Sequence, residues 1–209
     1  MNSLATVSAV TFGVQAFVTL FVVLDPVAAI PIFLALVSER TRKERITLAW
    51  QGATSSLLII VIFALFGQLI LSYLHINLYS LQGAGGFLLF LISMELLRGK
   101  VGSESETAGN KVNIAMVPIG TPVLAGPGGI VTTMLYVHYA HSTTAKVALA
   151  IAIIMVHVVI GLILMFSTSI LTLLKESGIT LITRVAGLLV AAIAVDMIVQ
   201  SIKGFFNLA

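Results

Sequence analysis

The stretch FVVLDPVAAIPIF, residues 21 to 33, decides the fold. It is apolar nearly throughout, yet Asp25 and Pro26 stand side by side within it. A carboxylate in an apolar run is costly. A proline there removes a backbone donor and clashes with the preceding turn. Both at one point suggest a helix interrupted on purpose.

The surroundings say what kind of helix. Of the 209 residues, 59% are hydrophobic and 9% charged, with a mean hydropathy of +1.14. Soluble domains carry roughly 25% charged residues. No Asp, Glu, Lys or Arg occurs from Ile46 to Met94, from Val112 to Ala145, or from Val147 to Leu174. A membrane-spanning helix needs about 20 apolar residues, and these runs exceed what a soluble core requires. The expected class is therefore an all-α polytopic membrane protein. A transmembrane β-barrel would show short alternating segments instead. The net charge of +3 rests on few residues and gives no reason to expect a nucleic-acid partner. The absence of cysteine excludes disulfides and thiolate metal sites, and no metal or other cofactor is expected. The N-terminus lacks the basic region of a cleavable signal peptide.

Six spans are expected, at about 9–36, 46–73, 77–98, 113–139, 147–172 and 179–201, with the first and fourth interrupted by Pro and Gly. A polar linker over 99–112 separates a first three-helix repeat (1–98) from a second (113–209). Arg40, Arg42, Lys43 and Arg45 lie in the first loop, Arg98, Lys100 and Lys111 around the linker, Lys175 in the loop between the fifth and sixth spans, and Arg184 just inside the sixth. The other side has Lys146 and Lys203. The positive-inside rule makes the first side cytoplasmic and both termini external.

The halves are related. At an offset of 101 residues Pro26 meets Pro127, Gly86 meets Gly187, and GGFLLFLISMELL (85–97) overlays AGLLVAAIAVDMI (186–198), so that Glu95 meets Asp196. Three spans per copy make the second copy enter from the opposite face. Such inverted repeats typify secondary transporters, whose discontinuous helices meet near the midplane and build the substrate site. On this reading Asp25-Pro26 and Gly126-Pro127-Gly128-Gly129 are the two breaks. Second half-helices are expected to start at Val27 and Gly128. Their N-termini suit a carboxylate, while Asp25 and freed carbonyls suit an ammonium or a proton.

LDPVAAIPIF (24–33), GGFLLFLISMELLRG (85–99) and PIGTPVLAGPGGI (118–130) resemble the three signature stretches of the MarC family of prokaryotic inner-membrane proteins, and the likeness runs over essentially the whole chain. This sequence carries Val27-Ala28-Ala29 where many relatives have a glycine soon after the proline. The resemblance, which extends to the lysine-exporter superfamily, implies transport of small neutral amino acids such as glycine and alanine. It implies coupling to protons, with sodium as the alternative ion. The implied substrate-binding set is Asp25, Pro26, Val27, Ala28, Thr121, Gly126, Pro127, Gly128 and Gly129.

Other residues have two readings each. Glu95 and Asp196 fit a pair of gates. Glu95 equally fits a structural ion pair with Arg98, three residues on, or with Arg184 across the bundle. His157 lies mid-span, with Ser56 at its repeat-related position; it suits proton coupling or a hydrogen-bonded structural role. Gln51, Thr54 and Ser55 suit either a cavity wall or helix packing. Gly83, Gly85 and Gly86 suit close packing beside a broken helix. Enzymatic activity is not expected, since neither a GxGD aspartyl motif nor a GxSG serine motif is present. A channel for small solutes and a membrane assembly factor are the alternative functions.

Overall fold

A computed structural model describes residues 8–37, 40–98 and 125–206. The linker 99–112, Thr121 and the first part of the fourth expected span lie outside the described residues. Seven helices follow one another: α1 (Ala9–Leu24), α2 (Ala29–Leu36), α3 (Arg42–Tyr73), α4 (Leu78–Arg98), α5 (Pro127–Tyr139), α6 (Thr143–Met165) and α7 (Ser167–Phe205). The described residues contain no strand. Four stretches are long and apolar enough to cross a membrane: α3, α4, α6 and the Ser177–Phe205 part of α7, with mean hydropathies of 2.4, 1.5, 3.0 and 2.2.

Local chemistry sets the helix ends. Ser8 accepts the Thr11 N–H and caps α1, and Ser142 does the same for α6 through Ala145. Thr41 and Glu44 form a reciprocal capping box at the start of α3. Asp25, His75 and Lys175 are the described non-glycine residues with positive φ, and each lies where a helix ends or kinks.

Two expectations about spans need correcting. The fifth span is α6, Thr143–Met165, ending seven residues before the expected 172. Phe166 leaves the helical conformation there, and a new helix begins at Ser167. That helix turns at Lys175 (φ 55°, ψ 174°), so the expected final span of 179–201 is the inner part of a longer helical stretch.

The buried side chains form two clusters. One joins α1, α3 and α6 through Phe12, Ala16, Leu20, Ala53, Ile60, Ile153 and Val156. The other joins α4 to α7 through Leu89, Leu96, Val190, Ala194 and Met197. The helix α5 packs on both, with Ile130 and Tyr136 against the first and Val131 and Leu135 in the second.

The helices α4 and α7 run antiparallel and touch reciprocally. A Cβ on Gly86 would lie 2.9 Å from the Ala194 carbonyl and 3.1 Å from the Ile198 nitrogen. A Cβ on Gly187 would lie 3.3 Å from the Ser93 carbonyl and 3.3 Å from the Leu97 nitrogen. Each residue of one contact stands 101 positions from its counterpart in the other. The helices α3 and α6 are also antiparallel, since Trp50 packs on Gly161 while Ser56 meets His157. That last pair is itself separated by 101 positions.

Candidate functional site

The helix α1 stops at Asp25 because Pro26 has no N–H to continue the ladder. The Asp25 N–H still closes the last turn on the Phe21 carbonyl at 3.1 Å. Asp25 itself adopts the left-handed conformation, φ 36° and ψ 66°, which Asp tolerates better than most residues. A three-residue turn follows, and α2 begins at Ala29 rather than at Val27 as expected. The shift has a physical cause. Pro26 is fully buried, and the chain needs Pro26–Ala28 to turn before helical hydrogen bonds can resume. Oδ1 of Asp25 accepts the Ala28 N–H at 3.3 Å, so its carboxyl holds the turn that leads into α2. Pro31 falls in the first turn of α2, where an N–H has no intrahelical partner to lose.

At the second break α5 begins at Pro127, one residue before the expected Gly128. Proline at the first helical position has its φ pre-set for helix and loses no bond. Gly126 is the N-cap and offers no side chain to the first N–H groups. The Ile130 N–H bonds the Gly126 carbonyl at 3.2 Å. The N–H groups of Gly128 and Gly129 therefore belong to the first turn of α5, with no side-chain cap among the described residues.

The two breaks adjoin each other. A Cβ on Gly128 would run into Leu89 of α4 and reach Val23 of α1 at 3.3 Å. One on Gly129 would lie 2.5 Å from Leu24 and 3.6 Å from Ile60 of α3. Here the absence of a Cβ is what lets α5 start against the end of α1. Ile60 and Leu89 lie near the middle of their helices, so the end of α1 and the start of α5 meet level with the middle of α3 and α4. Val22, Val23 and Ala28 pack with the α4–α7 cluster, whereas Leu24 and Ala29 belong to the α1–α3–α6 cluster. Asp25 thus sits on the seam between the two packed bodies. It is 9% exposed, and its second oxygen, Oδ2, is buried with no hydrogen-bond partner. Among the described residues the one ion pair is Arg40–Glu44 at 3.9 Å, far from this seam in the sequence.

The remaining candidates stand elsewhere. Glu95, Arg184 and Asp196 lie on exposed faces of α4 and α7. Neither ion pair expected of Glu95, with Arg98 or with Arg184, forms. Asp196 instead accepts Gln200 Nε2 at 2.6 Å. Gln200 Oε1 accepts Gln82 Nε2 at 3.0 Å, and the same nitrogen lies 3.4 Å from the Tyr139 hydroxyl. A polar chain thus joins Asp196 to the C-terminal end of α5. Its buried member, Gln82, escaped the sequence reading although it is a lone amide in an apolar span.

His157 is buried and satisfied on both ring nitrogens. Nδ1 lies 2.8 Å from the Ile153 carbonyl and Nε2 lies 3.1 Å from Ser56 Oγ. A carbonyl only accepts, so Nδ1 carries a proton; Nε2 accepts from Ser56 Oγ in the neutral ring and donates to it in the charged one. Gln51, Thr54 and Ser55 do not line the seam; with Ile46, Thr47 and Trp50 they border a shallow groove on the outer face of α3. The glycines of α4 do pack closely, Gly83 against Ser201, Gly85 against Val131 and Gly86 against α7.

Comparison with other proteins agrees with this architecture. Residues 10–206 match the family described as MarC family integral membrane protein. UPF0056 membrane protein MJ1677 of Methanocaldococcus jannaschii is 37% identical over 198 residues, covering 92% of this chain and 97% of its own. YvbG of Bacillus subtilis is 34% identical over 204 residues, covering 94% and 96%. YhcE of Escherichia coli is 32% identical over 197 residues, covering 91% of each. No solved structure matches. With a family match over nearly its whole length and relatives spanning archaea and bacteria, the chain belongs to the MarC family of integral membrane proteins.

Proposed function

We propose that the protein is a secondary transporter of small neutral amino acids, glycine- or alanine-like, working by alternating access in a prokaryotic inner membrane. The observation that carries this reading is Asp25: a buried carboxyl with one unpartnered oxygen, level with the middle of α3 and α4, on the seam between two packed bodies and beside the N-terminus of α5. A zwitterion answers both features. Its ammonium meets the Asp25 carboxyl, and its carboxylate meets the Gly128 and Gly129 N–H groups, where the helix dipole favours negative charge. Little room between glycines and Leu24 favours a small side chain on the substrate. Protons are the coupling ion, with sodium the alternative.

The reciprocal contacts support two inverted three-helix repeats. An antiparallel pair that exchanges equivalent residues is related by a two-fold axis perpendicular to both helices. For helices that cross a membrane, such an axis lies in the membrane plane, as inverted repeats require. Ser56 and His157 sit beside that axis, since each is the other's equivalent. Alternating access then takes the form of the α4–α7 body rocking against the α1–α3–α6 body across Asp25. The chain from Asp196 through Gln200 and Gln82 to Tyr139 is the outer latch on α5, and Glu95 with Arg184 occupies the cytoplasmic end.

The deciding measurement is counterflow in proteoliposomes. Trans glycine or alanine is expected to accelerate uptake of the labelled amino acid. Flux that rises with concentration without saturation or trans-acceleration would mean a channel. The topology is also open to test. Reporter fusions are expected to find both termini on the periplasmic side, following the Lys and Arg distribution. A cytoplasmic C-terminus would overturn the orientation, and one found with a periplasmic N-terminus would overturn the six-span count as well.

A further inference from the structure

The exposed side of α3 changes character along its length. Ile46, Thr47, Trp50, Gln51, Thr54 and Ser55 border the groove on that side. Their spacing repeats at one helical turn, so they form one face. The opposite face, with Ala49, Gly52, Ala53, Ser56 and Ile60, is buried in the protein. One turn before Ile46 and Thr47 the groove face carries Arg42 and Lys43, both exposed. Beyond Thr54 it becomes apolar, with Leu58, Leu65 and Leu69 at 59%, 70% and 68% exposed. The face therefore runs from basic through polar to apolar.

The membrane boundary falls within that run. Trp50 and Tyr73 are exposed aromatic residues, and they lie ~34 Å apart along the helix. Exposed Trp and Tyr gather at the two membrane interfaces, and the hydrocarbon core between them is about 30 Å thick. Trp50 and Gln51 thus stand where the lipid ester groups lie. Arg42 and Lys43 stand two turns further out, among the headgroups.

The polar groups on this face have capacity to spare. Arg40 pairs with Glu44 at 3.9 Å, and Arg45 Nε donates to the Arg40 carbonyl at 3.0 Å. Neither Arg42 nor Lys43 forms an ion pair among the described residues. The Thr47 and Thr54 hydroxyls donate to the Lys43 and Trp50 carbonyls at 3.1 and 2.7 Å, so their oxygens keep lone pairs for an outside donor. Gln51 is exposed and makes no hydrogen bond among the described residues. An amide left unpaired at the edge of hydrocarbon costs free energy.

We infer that this face of α3 is the seat of one anionic phospholipid. Its phosphate meets Arg42 and Lys43, an ester carbonyl accepts from the Gln51 amide, and its acyl chains run along Leu58, Leu65 and Leu69. A hydroxylated headgroup such as glycerol supplies donors for the Thr47 and Thr54 oxygens. Charge selects the occupant: a zwitterionic lipid brings its own ammonium beside two cations, and phosphatidylglycerol does not. A second copy of the chain fits worse, since a two-fold contact through this face would set four cations against one another. The inference stands apart from the transporter reading.

Native mass spectrometry of the full chain, released from detergent with phosphatidylglycerol or phosphatidylcholine, counts bound lipids and copies of the chain together. One phosphatidylglycerol per chain is expected to be retained, with phosphatidylcholine held at least about tenfold more weakly. R42Q and K43Q are each expected to weaken phosphatidylglycerol by about fivefold in apparent Kd, the effect of one cation beside an anionic headgroup. Q51L keeps the charges and removes the amide, and is expected to weaken both lipids by about fivefold. R98Q removes another exposed cation, outside the groove, and is expected to change neither. All four side chains are on the surface, so the variants should melt with the parent when no lipid is added. The seat is overturned if the two lipids are retained equally, or if R98Q costs as much as R42Q, which would mean diffuse attraction. It is equally overturned if Q51L binds phosphatidylglycerol like the parent, or if the parent is a dimer that Q51L dissociates, which would put a second copy on this face.

Discussion

Asp25→Asn is expected to insert and fold like the parent while losing proton-driven accumulation of glycine or alanine, with affinity for the zwitterion weakened at least about tenfold. Folding should survive because asparagine meets both local demands. It tolerates the left-handed conformation at φ 36°, and its side-chain oxygen can accept the Ala28 N–H as Asp25 Oδ1 does. What it lacks is the charge. An ionised Asp at the centre of a membrane helix costs ~2.5–3.5 kcal/mol on insertion scales. One N–H at 3.3 Å offsets a small part of that, and no described Lys or Arg pairs with this carboxyl. On the transporter reading the remaining compensation comes from a mobile partner, a proton or an ammonium, rather than from a metal cation or the freed backbone N–H groups after Pro26. Accumulation and substrate affinity in Asp25→Asn proteoliposomes measure it. Near-parental values for both would reduce Asp25 to a support of the turn before α2.

Apolar run length was enough to read the long helices, and the Asp25-Pro26 pair marked the break after α1, and Gly126-Pro127 the start of α5, within two residues. These features depend on chain-local physics: proline removes a donor wherever it stands. The interruption around Lys175 was legible from its polar neighbours, which put it in the loop between the fifth and sixth spans, whereas the change of direction at Phe166, inside an unbroken apolar run, was not. Partnerships across helices were harder still. Glu95 and Arg98 have the spacing of a pair, yet no ion pair joins them and both side chains are exposed. Asp196 pairs with Gln200 on its own helix, but the chain from there to Gln82 depends on the register of α4 against α7. Thr132 and Thr133 look like ordinary span residues in sequence. Their hydroxyls are buried without a hydrogen-bond partner among the described residues, and that is visible only with the side chains in place.

The largest stability effects are expected at the α4–α7 crossing. Gly86→Ala puts a methyl group 2.9 Å from the Ala194 carbonyl oxygen and 3.1 Å from the Ile198 nitrogen. These are backbone atoms of a helix, which cannot rotate aside as a side-chain tip does. The helices must separate, and the close contact that stabilises a membrane helix pair is lost. Gly187→Ala meets Leu96 Cβ at 2.9 Å and backbone atoms of Leu97 and Ser93 at 3.3 Å. Each substitution is expected to cost about 1–3 kcal/mol, the usual range for overpacking, or roughly 2–4 °C in melting temperature per kcal/mol. Gly86 should suffer more, since its neighbours are the closer backbone. The two contacts lie about nine residues apart along α4, which is ~14 Å of helix. At that separation their costs should add to within about 0.5 kcal/mol. Thermal unfolding of the two single variants and the double in one detergent gives all three numbers. Additivity would mean two independent pressure points on one rigid pair. Strong sub-additivity would mean that one substitution already parts the helices along their length. Neither glycine touches Asp25 or the start of α5, so exchange per folded molecule should stay close to the parent. A fall in exchange larger than the fall in folded protein would tie the crossing to the transport motion itself.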